Sequence, residues 1–144
     1  MIKRIIIANL LFLTLIFAAG CIKAENETHE THIDLDLTAL SGVMVQSAVF
    51  DMMTKPQDYL GQTIKVRGKH HIFYNDTGRR HHYLAIEDDS GCCTQWIEFV
   101  LSDVSAENYP SENTNIEITG VFSSYEEQDD IFYYLRVYSE PLLF

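Results

Sequence analysis

The sequence predicts a small all-β barrel of five strands, preceded by a short N-terminal strand or helical turn. Three observations predict it. Apolar and polar residues alternate in five stretches between Ile64 and Val137. Clusters of Asn, Asp, Glu, Gly and Ser mark tight turns within this region. A longer connection from Ser102 to Asn115, containing Pro110, separates the third stretch from the fourth. Short strands with regular turns close into a barrel. A two-sheet sandwich is the other all-β solution, and five strands fill it poorly.

Gly42 to Phe50 is apolar and reads as a strand, and Asp51 is placed to cap a helical turn. Pro56 ends or restarts that turn and Gly61 closes it. Ile64, Val66 and Gly68 alternate with Lys65, Arg67 and Lys69, and the strand runs on to Tyr74. Asn75-Asp76-Thr77-Gly78 is a hairpin signal. His81 to Asp88 is the second strand, Asp88 to Gly91 the next turn, and Thr94 to Leu101 the third strand. Ile116, Ile118, Gly120 and Phe122 define the fourth, Glu126 to Asp130 an acidic turn, and Ile131 to Val137 the fifth. Tyr133, Leu135 and Val137 share one parity.

Five strands with the long connection between the third and fourth resemble the OB-fold. The segment PQDYLGQTIKVRG, with Tyr59, Gly61, Ile64, Val66 and Gly68, resembles the entry to the first strand of exported bacterial OB-fold proteins. EITGVF, with Gly120, is similar to their fourth strand. CCTQWIEF, from Cys92 to Phe99, resembles a family of small bacterial lipoproteins with a Cys-Cys-x-Gln-x-Ile-Glu-Phe motif. The resemblance implies a fold and a location, and no activity.

The N-terminus points to the same location. Lys3 and Arg4 precede an apolar run from Ile5 to Ala19, and Ala18-Ala19-Gly20-Cys21 closes it. A basic start, a short apolar core and small residues before a cut site form a secretory signal. The run is shorter than the roughly 20 residues a membrane-spanning helix needs. Ala-Ala-Gly-Cys resembles the bacterial lipoprotein box, which implies that Cys21 carries lipid and begins the mature chain. The expected division is a signal over 1–20, an acidic flexible tether over 21–37 and a barrel domain over 38–144. The expected location is the bacterial cell membrane, lipid-anchored and facing the extracytoplasmic side. His29 and His32 lie in the tether and read as solvated linker.

Charge bounds the partners. The formal net charge is −11, and loss of Lys3 and Arg4 with the signal makes it −13. Such a surface repels phosphate backbones, so nucleic acid is expected to be excluded as a partner. The expected partners are the membrane, through lipid on Cys21, and a membrane or surface protein.

Cys92 and Cys93 are the most distinctive pair. A hairpin centred on Ser90 puts Glu87 opposite Cys93 and Leu84 opposite Trp96. Cys93 then shares the core face with Ile97, Phe99 and Leu101, while Cys92 shares the other face with Trp96 and Glu98. Adjacent Cα atoms are about 3.8 Å apart, too close for an unstrained disulfide. Thiolates suit zinc or copper(I), and Glu87 and Glu98 are the nearest further ligands. The alternatives are a thiol-redox pair and small residues that fill core or contact a partner. A hairpin centred between Asp76 and Thr77 puts His71 opposite His82, a second candidate metal clip, with Arg79 and Arg80 disfavouring a cation there. His82 and Glu87 lie about 17 Å apart along one strand, so the two candidate sites stay separate.

No phosphate loop or nucleophile elbow is present, and no enzyme is expected. Trp96, Tyr125, Tyr133, Tyr134 and Tyr138 supply aromatic surface, with Trp96 the candidate ligand or partner contact and most of the others expected to pack the barrel or its rim. The function expected is a lipid-anchored extracytoplasmic OB-fold binding or accessory module. The alternative is a metal-handling or thiol-redox protein using Cys92 and Cys93.

Overall fold

The computed structural model describes residues 32–88, 91, 93–102, 109–138 and 141–144. Five long strands form a closed ring: β2 (Thr63–Tyr74), β3 (Arg80–Glu87), β4 (Thr94–Leu101), β5 (Asn115–Glu127) and β6 (Asp130–Val137). Their order is β2-β3-β4-β6-β5, and β5 pairs back onto β2. All neighbours are antiparallel except β4 and β6, which run parallel. This closed order is the OB-fold, as the sequence predicts.

Closure depends on β2 serving two neighbours. Its first half, Thr63 to Lys69, pairs with β5, and its second half, Lys69 to Tyr74, pairs with β3. The changeover falls beside Gly68. A Cβ there would lie 2.5 Å from the Ala85 carbonyl oxygen and 2.7 Å from Leu84 Cγ. Only a residue without a side chain lets the two backbones approach this closely. Two short edge strands extend the sheet. Leu35–Asp36 (β1) runs parallel to β2, and Leu142–Leu143 (β7) pairs antiparallel with β5.

The segment from Gly42 to Phe50, expected as a strand, is the first part of a helix, α1 (Gly42–Thr54). A short apolar run has no period that separates a buried helix from a buried strand. Here Val49 and Met52 are fully buried, and Val45 and Ala48 pack against the same core. These positions lie on one helical face. Gln46 Nε2 donates to the Ile86 carbonyl at 2.7 Å and ties α1 to β3. Asp51 sits inside the helix and does not cap it. It accepts from Lys55 Nζ and from the Tyr59 hydroxyl, each at 2.7 Å. Pro56 starts a single 3-10 turn, Pro56–Asp58, and Gly61 comes after it with φ +85°.

Alternation within the strands holds. Ile64, Val66, Leu84, Ile86, Ile97, Phe99, Leu101, Ile116, Ile118, Phe122, Leu135 and Val137 face inward and are buried. The fourth strand is longer than expected. The residues read as an acidic turn continue it to Glu127, and Gln128-Asp129 alone turn the chain. On the outer face Glu117 accepts from Lys65 Nζ at 2.9 Å and from Arg67 Nε at 2.6 Å. Those bonds, the Lys65 one first, hold its carboxyl below the usual range.

Gly68→Ala is expected to destabilise the fold by about 2–3 kcal/mol, because the obstruction is mainly backbone and cannot swing away. Urea unfolding measures it; a midpoint equal to that of the parent chain would mean that β2 and β3 separate freely at the bend.

A candidate ligand cleft on the outer face

Two turns rise at the same end of the barrel. In the β2–β3 turn, Asn75 Oδ1 accepts from Thr77 N, Thr77 Oγ1 and Arg79 N at 3.1, 2.7 and 2.8 Å. Gly78, at φ +79°, completes it. One side chain thus satisfies three donors and fixes the loop. In the β5–β6 turn, Gln128 and Asp129 both hold positive φ, 54° and 69°. A two-residue hairpin of this hand usually takes Asn-Gly, so this turn stores backbone strain.

Between these turns lies a cleft of about 290 Å³. Its walls carry rings from four strands: Phe73 and Tyr74 on β2, Tyr83 on β3, Tyr125 on β5 and Phe132 on β6. Tyr125 and Phe132 stack with centroids 5.4 Å apart, and Phe73 meets Tyr83 edge-on at 5.4 Å. Phe73 is 48% exposed and Phe132 40%. Apart from Tyr74, whose parity points the other way, these rings sit on the parity opposite to the core.

A buried carboxylate organises the base of the cleft. Glu98 is 6% exposed. It accepts from His81 Nδ1 at 2.8 Å and from the Tyr125 hydroxyl at 2.9 Å. A carboxylate accepts only, so Nδ1 of His81 carries the proton in this bond. Burial, and then the bond to Glu98, push the Tyr125 hydroxyl well above its ordinary pKa. Burial and the Glu98 charge raise Tyr83 as well. His81 also lines a second recess of about 270 Å³, with Arg79, Arg80, His82 and Tyr109.

The other histidine pair lies inside the barrel and differs from expectation. The observed register pairs His71 with Tyr83 and Ile72 with His82, one residue away from the expected facing of His71 and His82. It is His70 that meets His82, across a diagonal, with Nε2 to Nδ1 at 2.9 Å. His70 Nδ1 donates to the Ser111 carbonyl at 3.3 Å, so His82 Nδ1 is the donor between the rings. His82 stacks on Tyr109 at 3.6 Å. Burial, then the neighbouring His70 and Arg80, push the His82 pKa down to about 4. Burial lowers His70 too. The expected clip at His71 and His82 is therefore corrected: His71 packs on Trp96 at 5.3 Å, outside the barrel.

The β3–β4 register also shifts by one. Glu87 pairs with Thr94 and Leu84 with Ile97. Cys93 is exposed rather than on the core face, because it precedes the regular strand and its carbonyl accepts from Asp88 N at 3.1 Å. Cys92 lies outside the described residues. Glu98 pairs with Tyr83, four residues along β4 from Thr94, which places it about 13 Å from the Glu87 pairing. Its oxygens are committed to His81 and Tyr125. Among the described residues no group of three or more His, Cys, Asp or Glu is arranged to hold a metal. Trp96, 39% exposed, packs on Phe73 at 5.3 Å and flanks the cleft without lining it. Tyr133 stacks on Phe122 against the core, and Tyr134 is buried. Sequence reading missed His81, Phe73, Tyr83 and Phe132; their signal was aromatic residues on the solvent parity of adjacent strands.

No family model matches the chain, and no curated protein matches it. Among solved structures it is similar to the second OB-fold domain of replication protein A from Methanococcus maripaludis. The likeness has 15% identity and a TM-score of 0.27, and covers 59% of this chain and 84% of that one. The fold assignment rests on the closed strand order. The expectation that nucleic acid is excluded as a partner is corrected, because it rested on net charge alone. Net charge governs solubility and long-range steering and does not decide what one face of a barrel binds. Cys21, expected to carry lipid and to bring the chain to the membrane, lies outside the described residues. Among those described, no helix is long and apolar enough to cross a membrane.

Stability is expected to fall with acidity in a defined window. His82 stays neutral in the fold down to about pH 4, whereas the unfolded side chain takes up a proton near its ordinary 6.5. The unfolded state therefore binds more protons between these values, and stability is lost as pH falls from about 6.5 toward 4, by at most about 3 kcal/mol. Urea midpoints across this range measure the slope. The His70→Phe/His82→Phe double variant, which leaves no ring nitrogen unpaired, should flatten it; an unchanged slope in that variant would assign the loss to other groups.

Proposed function

We propose that the chain is a lipid-anchored, extracytoplasmic OB-fold module that binds a small ligand in the cleft between the Asn75–Arg79 loop and the Gln128-Asp129 turn. One observation carries the ligand reading. Five aromatic residues from four strands converge on one outer-face cleft, and a buried Glu98 holds two groups of its wall, His81 and Tyr125, in fixed positions. A solvated barrel face has no packing reason to collect rings, whereas ligand clefts are built from apolar walls with a few fixed polar groups. OB-folds bind on the face of the second and third strands between the 1–2 and 4–5 loops. The cleft lies between the two corresponding turns here. The anchor is supported by the basic start, apolar run and Ala-Ala-Gly-Cys sequence alone.

Amide spectra of the chain test the ligand reading, with a disaccharide, a short oligothymidine and choline as probes. At least one is expected to shift amides of both turns, and Phe132→Ala should abolish the shift without loss of fold. If no probe disturbs the turns, or if the shifts cluster elsewhere, the cleft is not the site. Cys21→Ser is expected to abolish incorporation of labelled fatty acid and to release the protein from the membrane fraction; retention of label in that variant would end the lipoprotein reading.

A further inference from the structure

The cleft combines two features that together select one class of ligand. Its rings present faces and edges from Phe73, Tyr83, Tyr125 and Phe132. Its charged lining residues, His81 aside, are all carboxylates: Asp76, Glu127 and Asp130. His81 adds no free donor at Nδ1, because that proton is held by Glu98. Glu98 places a fourth carboxyl group directly behind the wall. Glu127 is paired with Arg79, whose Nη1 lies 3.4 Å from Glu127 Oε2 in an exposed pair. Such a pair is weak and screened, and leaves most of the negative potential in place.

We propose, on the basis of the cleft reading above, that its ligand is a small soluble organic cation, an alkylated ammonium compound. Aromatic faces attract cations through their quadrupole, and the gain is largest for an ion that sheds its water readily. A metal ion keeps its hydration and wants oxygen or sulfur donors in number. An alkylated ammonium carries its charge on an apolar body that fits against rings. The carboxylates at the rim supply the long-range attraction, and the net charge of −11 raises the local concentration of cations. A volume of about 290 Å³ accommodates a head group of this kind rather than a long chain. A phosphate beside the ammonium would meet Asp76, Glu127 and Asp130, so an ammonium compound without a phosphate is favoured over a phospholipid head group.

Calorimetric titration of the full chain, held in a nonionic polyoxyethylene detergent, tests this with three probes. They are choline, its neutral carbon isostere 3,3-dimethylbutan-1-ol, and phosphocholine. Choline is expected to bind at least about tenfold tighter than the alcohol, and tighter than phosphocholine. Glu127→Gln/Asp130→Asn should weaken choline about tenfold and leave the alcohol unchanged, and Phe132→Ala should weaken both. Thermal unfolding of each variant confirms that the barrel is retained. Equal affinity for choline and the alcohol overturns the cation proposal while leaving the cleft as a ligand site. Tighter binding of phosphocholine overturns it in favour of a lipid head group. Absence of heat with all three overturns the cation proposal; the cleft itself falls only if the disaccharide and oligothymidine also leave both turns undisturbed.

Discussion

The close approach of β2 to β3 at Gly68 is the constraint on which the rest of the structure depends. β2 exchanges one neighbour for the other part-way along its length, and it can do so here because no side chain separates it from the Ala85 carbonyl. The bend divides β2 into a half that pairs with β5 and a half that pairs with β3. That division has two consequences. It seals the sheet so that the long strands have partners on both sides, and it sends the β2–β3 hairpin toward the end where β5 and β6 turn. The cleft exists because the two turns meet there. Its location is a property of barrel closure before it is a property of any aromatic residue.

Closure also sorts the polar residues. His81 and His82 are neighbours in sequence and face opposite ways, as successive residues of a strand must. His82 enters the interior, where it bonds His70 and lies flat on Tyr109. His81 faces outward onto Glu98. Each of these buried polar groups is satisfied by a partner from another strand or loop, so each network fixes register as well as removing an unpaired group. The interior network holds the connection between β4 and β5 through Ser111 and Tyr109. The outer one links β3, β4 and β5 beneath the cleft. A shift of either strand by one residue would expose one ring pair and strand Glu98 among apolar neighbours.

The rim of the cleft is less comfortable than its base. Gln128 and Asp129 both occupy the left-handed region without the advantage of glycine. Glu127, Asp130 and Asp76 crowd carboxylates around one opening, relieved by a long ion pair to Arg79. Like charge gathered at this rim is a feature that a ligand of opposite charge would relieve. The same barrel carries a second exposed apolar surface on α1, at Val43, Met44 and Phe50. It lies on an element whose other face closes the core.

The sequence by itself determined the five strands, their order of burial and the inward parity of residues such as Ile97, Phe99, Leu101, Leu135 and Val137. Period two is a local property of the chain, and Asn75 to Gly78 marks a turn without reference to anything distant. It also determined that Gly68 sits at a bend. Registers were less accessible. In both predicted hairpins the pairing missed by one residue, because turn residues localise a reversal but not which backbone groups bond across it. That single step decided that His70, and not His71, meets His82. The helix over Gly42–Thr54 was hidden for a different reason. Its apolar residues run together, and only the barrel end that it covers selects the face with Val45, Ala48, Val49 and Met52. The cleft showed in the sequence only as aromatic residues on the solvent parity of separate strands. Phe73, His81, Glu98, Tyr125 and Phe132 are spread over five strands, and the outer face on which they meet exists only after the ring has closed.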